Sequence, residues 1–155
     1  MLKDHVKSAK HRWRDACFLP ADITRERFDE MLRTFIEARG SLIERGFVFR
    51  EILPLKTRST SMLGAPVHEE IRLFFWRGHA LDLDTRSAID DECLEKLSKI
   101  AQRFSSPFVT IDVARTIDEG WAIIETGDAG VSGIPPAISD HDWYRALAHA
   151  LANES

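Results

Sequence analysis

Three carboxylates near the end of the chain, Asp112, Glu125 and Asp128, have the chemistry of ligands for a hard divalent cation. Magnesium typically uses one or two protein carboxylates and completes its coordination with phosphate oxygens and water. A full protein cage is therefore unnecessary, and the three acids predict a magnesium site that also holds a phosphate-bearing ligand. The alternative is a set of solvent-facing acids on an edge hairpin.

The segment from Pro107 to Asp128 predicts a β-hairpin that positions these acids. Its first half alternates apolar with polar residues, as a half-buried strand does, and after a polar turn a second apolar run ends on Glu125. A turn centred near residues 117 and 118 places Ile111 opposite Ile124 and Asp112 diagonal to Glu125. Diagonal neighbours lie about 7–8 Å apart, so the two carboxylates could share one cation.

Basic residues at the other end of the chain could bind the phosphate. The segment from Lys3 to Arg14 is strongly basic, although the chain as a whole has a net charge of −4. Lysine is a usual point-charge partner of phosphate, so Lys3 and Lys7 are candidate contacts. A solvated charged face is the alternative for each lysine taken alone.

Four further charged residues lie inside apolar runs: Arg50 and Glu51 in FVFREILPL, and Glu70 and Arg72 in EEIRLFFW. A charge within a sheet is costly unless it faces solvent, a ligand or a partner of opposite sign. Two interpretations therefore stay open. The charges belong to an active site, or they form a salt bridge between neighbouring strands, such as Arg72 with Glu51.

The order of the periodic segments predicts an α+β fold, in which antiparallel strand pairs separate the helices. In the first half we expect a helix over Thr24–Ala38 between an N-cap at Thr24 and a stop at Gly40, a strand over Phe47–Leu55, and a mobile loop over Thr57–Pro66. In the second half we expect a strand over Val67–Trp76 with a return strand over His79–Leu83, a helix from Asp90 or Asp91 to about Phe104, the hairpin, and a C-terminal helix capped by Ser139 or Asp140. That last helix is expected to cover one face of the sheet with Trp143, Leu147, Ala150 and Leu151.

Composition sets the broad class. The chain has 155 residues, of which 44% are hydrophobic and 30% charged, as in one soluble globular domain. Its slight negative charge gives no signal for nucleic acid, and no apolar run approaches a membrane span. Cys17 and Cys93 lack metal-type spacing, so we expect two reduced cysteines in a cytoplasmic protein.

Several segments, in their order along the chain, resemble the ATP-grasp superfamily, most closely the clade named for two arginines and a lysine. They are LKDHVKSAKHRW, GFVFREILPL, EEIRLFFWRGHAL and FVTIDVA…WAIIETGDAGVSGIP, and together they cover nearly the whole chain. The resemblance implies an α+β fold with an antiparallel sheet and packed helices, in which ATP lies between two lobes. It also implies ATP-dependent joining of a carboxylate to an amine through an acylphosphate.

The resemblance also assigns roles to particular positions. Phosphate contact would fall to Lys3, with Lys7 as a second candidate, and the two clade arginines would be Arg50 and Arg72. Ribose and adenine would meet Glu51, Ile52 and Leu53, and magnesium would meet Asp112 and Glu125. The superfamily commonly has asparagine two residues after the metal-binding glutamate, where this chain has Gly127, so Asp128 becomes the third candidate ligand.

The same comparison implies that the chain begins almost on the lysine strand. The expectation is a single domain over residues 1–155 that lacks the N-terminal substrate domain and the first part of the ATP lobe. An active ligase would need those parts from a longer protein or a partner, so activity of the isolated chain stays open. The alternative is a truncated, non-catalytic ATP-grasp-like module for binding or assembly, as a homodimer or with a partner chain over the missing lobe.

Overall fold

A computed structural model describes residues 1–4, 9–43 and 45–153. The chain divides into two compact units, which we call unit 1 (Met1–His68) and unit 2 (Glu69–Ser155). Each unit combines helix with antiparallel strands. The α+β fold predicted from the sequence is therefore confirmed. In the part of the chain that the structure describes, no helix has both the length and the apolar character needed to cross a bilayer.

Unit 1 contains two separate two-stranded sheets and one long helix. β1 (Leu2–Asp4) pairs with β2 (Phe47–Phe49), and β3 (Thr57–Thr60) pairs with β4 (Pro66–His68). The helix, α1, covers Arg25–Arg39, and a 3₁₀ turn at Lys10–Arg12 followed by a π-helical turn at Trp13–Cys17 precedes it. The buried core of the unit consists of Leu2, Ala9, Ala16, Cys17 and Phe35.

The ends of α1 follow from local chemistry. The Thr24 hydroxyl accepts a hydrogen bond from the backbone N–H of Arg27 at 3.3 Å, and so satisfies one of the donors that a helix start leaves unpaired. The helix ends at Gly40, whose φ of 51° lies in the left-handed region where glycine carries no steric penalty. Both signals predicted from the sequence are confirmed.

Two predictions in unit 1 are wrong. The strand expected over Phe47–Leu55 ends at Phe49, because β1 pairs only with Phe47–Phe49, and further on Pro54 has no N–H for a ladder while the N–H of Leu55 bonds back to the carbonyl of Leu53. The segment expected to be a loop over Thr57–Pro66 contains β3 and the start of β4. Its turn is closed by hydrogen bonds between Ser61 and Ala65, and its four β3 side chains are exposed, so it lacked the apolar alternation of a strand.

Unit 2 is built on a four-stranded antiparallel sheet with the order β6–β5–β7–β8. β5 is Glu70–Trp76, β6 is His79–Ala80, β7 is Phe108–Arg115 and β8 is Trp121–Asp128. The helices are α2 (Asp91–Ala101) and α3 (Asp140–Ala152), with Asp90 and Ser139 as their N-caps, and a 3₁₀ turn covers Asp84–Ala88.

The sheet carries a helix on each face. α2 covers the face that presents Leu73, Phe75 and Ile111. α3 packs on the other face, where the Trp143 ring meets Phe74 edge-on at 5.7 Å between centroids. The predicted covering role is confirmed for Trp143, Leu147 and Ala150 but wrong for Leu151, which is 44% exposed.

Three boundaries in unit 2 differ from the prediction. The strand expected over Val67–Trp76 is interrupted at Glu69, because β4 pairs with β3 whereas β5 pairs with β7. The return strand is shorter than His79–Leu83, although the N–H of Leu81 still bonds the carbonyl of Phe74. α2 stops at Ala101 rather than near Phe104.

Candidate functional site

The register of unit 2 places Arg72, Asp112 and Glu125 in one row across three neighbouring strands. Arg72 on β5 is opposite Asp112 on β7, and Asp112 is opposite Glu125 on β8. Directly opposed residues of an antiparallel sheet project from the same face, with Cβ atoms about 4.5–5.5 Å apart. We call this set the charged row. It therefore has one positive and two negative side chains within reach of one another.

The charged row is tighter than the sequence predicted, because the predicted register is wrong. Ile111 is opposite Thr126 rather than Ile124, and Asp112 is directly opposite Glu125 rather than diagonal to it. The ladder shifts between Asp112 and Val113, which is opposite Ile123, so that Ile124 is an extra residue on β8. Such a bulge has no unambiguous sequence signal, and it brings the two carboxylates face to face.

Arg72 binds Asp112 through two hydrogen bonds. Its Nε donates to Oδ1 at 2.8 Å and its Nη2 donates to Oδ2 at 2.7 Å, while Nη1 donates to the carbonyl oxygen of Gly133 at 3.1 Å. The hydrogen bond to Asp112 is the main cause that raises the pKa of the Arg72 guanidinium, and the charge of Glu125 adds to it. The neighbouring strand thus supplies Asp112 as the ion-pair partner of Arg72, where the sequence suggested Glu51.

The structure does not bring Asp128 into the charged row. Asp128 is opposite Val109 and lies three residues from Glu125 in an unbroken stretch of ladder, so its side chain leaves the sheet on the other face. Its Oδ1 accepts a hydrogen bond from the N–H of Gly130 at 2.7 Å, which is the geometry of a residue that closes a turn.

Two hydroxyl groups that sequence reasoning missed lie beside the charged row. Thr110 is two residues before Asp112 on the same face, it is only 3% exposed, and its Oγ1 lies 3.1 Å from Oγ of Ser132. Ser132 also donates to the carbonyl oxygen of Asp128 at 2.7 Å. The hydroxyls therefore hold the segment after β8 against the sheet. The sequence did contain a signal for Thr110, since residues two positions apart on a strand, such as Thr110 and Asp112, share a face. It contained none for Ser132, which lies in a loop without periodicity.

The remaining candidates belong to unit 1. Lys3 is half-buried on β1, opposite Val48, and Lys7 lies outside the described residues. Arg50 follows β2 and its backbone N–H bonds the carbonyl of Met1, whereas Glu51 is exposed. Ile52 and Leu53 are also exposed apolar residues, a type of surface that can pack on a nucleotide base.

The donor chemistry of the charged row fits magnesium. Asp112 and Glu125 offer hard carboxylate oxygens from directly opposed positions, and Mg²⁺ needs no more than one or two protein carboxylates when phosphate oxygens are present. Among residues 1–4, 9–43 and 45–153, no group of three or more histidines, cysteines or acids has the arrangement of a metal cage.

Comparison with known proteins identifies the family of the chain. A family model matches residues 1–150, which is almost the whole chain, and it describes an ATP-grasp domain, family 3 of the clade named for two arginines and a lysine. No curated protein and no solved structure matches the chain.

Proposed function

Because the chain belongs to family 3 of the ATP-grasp clade named for two arginines and a lysine, we propose that it is the ATP- and magnesium-binding domain of a carboxylate–amine ligase. ATP-grasp membership by itself implies ATP binding and ligase-type chemistry. The proposal adds the metal ion, the acylphosphate intermediate and the residues that serve them. It also adds a cytoplasmic location, which the thiol state of Cys17 and Cys93 supports, since they form no disulfide with each other.

The charged row is the observation that carries the proposal. Two carboxylates that face each other across β7 and β8, next to an arginine on β5, combine the ligands of a magnesium ion with a donor for phosphate oxygens. A purely structural sheet gains little from a second carboxylate opposite the first, since like charges in directly opposed positions destabilise the pair. The excess negative charge of the row therefore favours a cation-binding role.

The proposed reaction has two steps. A carboxylate oxygen of the acid substrate attacks the γ-phosphorus of ATP, the bond to the β,γ-bridging oxygen breaks, and ADP leaves. The amine nitrogen then attacks the acyl carbon, inorganic phosphate leaves with the electron pair of the broken C–O bond, and the amine loses a proton. Phosphoryl transfer depends on positioning and charge neutralisation, which Lys3, Arg50 and Arg72 would supply. Magnesium, when bound at Asp112 and Glu125, would neutralise charge on the phosphate oxygens.

The nucleotide would also need a base and ribose site. Glu51, with the backbone of Ile52 and Leu53, is the proposed site, and the exposure of the two apolar side chains supports it. Lys7 is proposed as a second phosphate contact beside Lys3. Asp128 was the candidate third ligand because it adjoins Gly127, where the superfamily commonly has asparagine, but its place on the other face of the sheet and its turn hydrogen bond to Gly130 favour a structural role in this chain.

Unfolding of the full chain with and without Mg-ATP tests the proposal. A ligand present at a hundred times its dissociation constant adds about 2.7 kcal/mol to the free energy of unfolding. We expect a shift of this kind with ATP and magnesium, and a smaller one with ATP and a chelator. Lys3→Gln should reduce the shift, whereas Lys99→Gln on the exposed surface of α2 should not. The absence of any shift at millimolar Mg-ATP would contradict the proposal for this chain.

One observation favours a second candidate function. Arg72 binds both carboxylate oxygens of Asp112, and a stable pair of this kind neutralises the charge that would attract a metal ion. This arrangement would suit a non-catalytic module that binds a nucleotide or a partner. Hydroxylamine separates the two functions, since it traps acylphosphates as hydroxamates. Mg-ATP binding without ADP release or hydroxamate, across a panel of carboxylic acids and amines, would support the module. Light scattering would then show whether it associates with itself or with a partner.

A further inference from the structure

Arg72 and the proposed magnesium ion compete for the same carboxylate. Both oxygens of Asp112 accept hydrogen bonds from Arg72, at 2.8 and 2.7 Å. A cation placed on Asp112 while this pair persists would lie close to a guanidinium, and the two positive charges would repel each other. The arrangement therefore raises a question that the family assignment does not answer, namely how the site takes up its metal.

We propose that Arg72 is a built-in counter-ion, which holds Asp112 while the site lacks metal and is released from it when Mg²⁺ binds to Asp112 and Glu125. This inference rests on the proposed metal-binding role of those two acids. Release would make the N–H donors that now point at Asp112 available to the anionic oxygens of a phosphate. Metal uptake and the freeing of a phosphate donor would then be one event.

The charges of the row support an exchange. Arg72, Asp112 and Glu125 sum to −1, so the metal-free row keeps one carboxylate charge that Arg72 does not neutralise. A divalent ion between Asp112 and Glu125 neutralises both acids and leaves the guanidinium unpaired, which is the state that attracts a nucleotide phosphate. The charged row therefore has the net positive charge that an anion requires only after the metal ion has bound.

Burial and position make the exchange feasible. The Arg72 side chain is 31% exposed and the Asp112 side chain 17%, so water and ions reach the pair. Glu125, which is exposed, lies on the opposite side of Asp112 from Arg72. A metal ion can therefore approach from the Glu125 side without first passing the arginine.

A second acceptor would hold Arg72 after release. Its Nη1 already donates to the carbonyl oxygen of Gly133 at 3.1 Å. A Cβ added at Gly133 would meet no atom within 4 Å, so the space beside this residue is open. The guanidinium can therefore turn away from Asp112 while it keeps one hydrogen bond to the loop.

Calorimetric titration with Mg²⁺ alone tests the competition. Arg72→Gln should bind Mg²⁺ at least tenfold more tightly than the wild-type chain, because the ion no longer displaces a bound cation. The gain should vanish in the double variant Arg72→Gln, Glu125→Gln. Arg115→Gln is the matched control, since Arg115 is also a paired arginine of this sheet but binds Glu119 and stacks on Trp121; it should leave the affinity unchanged. Equal or weaker Mg²⁺ binding in a folded Arg72→Gln chain would overturn the inference.

A measurement on the wild-type chain removes any dependence on the folding of the variant. In ¹⁵N spectra of the arginine Nε–H groups, Mg²⁺ alone should move the Arg72 resonance toward its position in Asp112→Asn, while the Arg115 resonance stays fixed. Bound Mg²⁺ with an unmoved Arg72 signal would refute the exchange. The proposed function is judged separately. Stabilisation by Mg-ATP without any change in the Arg72 resonance on Mg²⁺ binding would support the function and reject this inference. A change in the Arg72 resonance with Mg²⁺ but no stabilisation by Mg-ATP would support the inference and reject the function.

Discussion

Arg39 at the end of α1 donates a hydrogen bond from Nε to Oδ2 of Asp4 on β1, at 2.7 Å, and the Asp4 side chain is completely buried. The pair joins the helix to the strand that carries Lys3. Because side chains alternate along a strand, Asp4 and Leu2 face the interior of unit 1 while Lys3 projects from the other side. The proposed phosphate contact therefore depends on an ion pair beneath it.

Breaking this pair should destabilise the chain strongly. Breaking a buried ion pair by removal of one partner costs about 3–5 kcal/mol, and the Asp4 carboxylate is fully buried. We expect Arg39→Gln to lower the free energy of unfolding by about that amount in urea denaturation. Arg25→Gln is the control, since its pair with Asp29 on the same helix is exposed, and it should change stability by less than about 1 kcal/mol. Similar changes in the free energy of unfolding for the two substitutions would show that Arg39 does not stabilise the buried charge of Asp4.

A larger residue at Gly127 should destabilise the chain, because two hydroxyl groups lie close to the sheet face at this point. A Cβ at position 127 would lie 3.3 Å from Oγ1 of Thr110 and 3.7 Å from Oγ of Ser132, and the two hydroxyls hold each other in place. We expect Gly127→Ala to cost about 1 kcal/mol or more by overpacking. Gly133→Ala, with open space around it, should cost less. Addition of Thr110→Ala should make the substitution at 127 less costly, and a double-mutant cycle measures that relief.

The thiol of Cys93 gives a prediction for alkaline pH. Burial raises the pKa of this thiol above its ordinary value of 9.0. The folded state therefore disfavours the thiolate, so the group has no effect on stability well below pH 9 and destabilises the fold as the pH rises through that region. In a Cys17→Ser background, the alkylation rate of Cys93 should reach half its maximum above pH 9. A midpoint at or below 9 would contradict the assignment.

The β3–β4 hairpin should be the least protected strand pair in hydrogen exchange. It stands in a two-stranded sheet of its own and all four β3 side chains are exposed, whereas β7 is paired on both sides and largely buried. Two-stranded hairpins are at best marginally stable, so we expect β3 amides to exchange at least about a hundredfold faster than those of β7. The mobility predicted for Thr57–Pro66 would be refuted by equal protection in the two strands.

The sequence predicts best what local chemistry decides. The caps at Thr24 and Ser139 and the stop at Gly40 needed only residues within one or two turns of each helix end, and the structure has them. The register of β7 and β8 was wrong for two reasons: the turn is centred on Asp118 rather than between residues 117 and 118, and the bulge at Ile124 carries no signal of its own. The predicted strand lengths were also wrong, because a strand extends only as far as its partner pairs with it, and the sequence of one strand does not show where its partner ends.

The site was predictable as a set of residue types but not as an arrangement. Arg72 and Asp112 were each singled out, yet they are 40 positions apart and their pairing depends on which strands become neighbours. The contact between Ser132 and Thr110 also depends on the folded arrangement, since Ser132 lies in an irregular loop. Conversely, any side chain at Gly127, including the asparagine that the family pattern expects, would bring its Cβ within 3.3 Å of Oγ1 of Thr110, a tight contact that the sequence does not reveal.

Glu125→Gln separates a metal ligand from a structural carboxylate. Glu125 is exposed and directly opposite Asp112, so in the metal-free chain its charge is repelled by a neighbouring acid. Neutralising it should therefore leave the free energy of unfolding unchanged or slightly raised, whereas loss of a buried structural partner would cost about 3–5 kcal/mol. In the same variant the stabilisation by Mg-ATP should fall to that seen with ATP and a chelator. Glu95→Gln on the exposed surface of α2 should leave the Mg-ATP effect intact. A large drop in the melting temperature of the ligand-free Glu125→Gln chain would mean that Glu125 belongs to the scaffold.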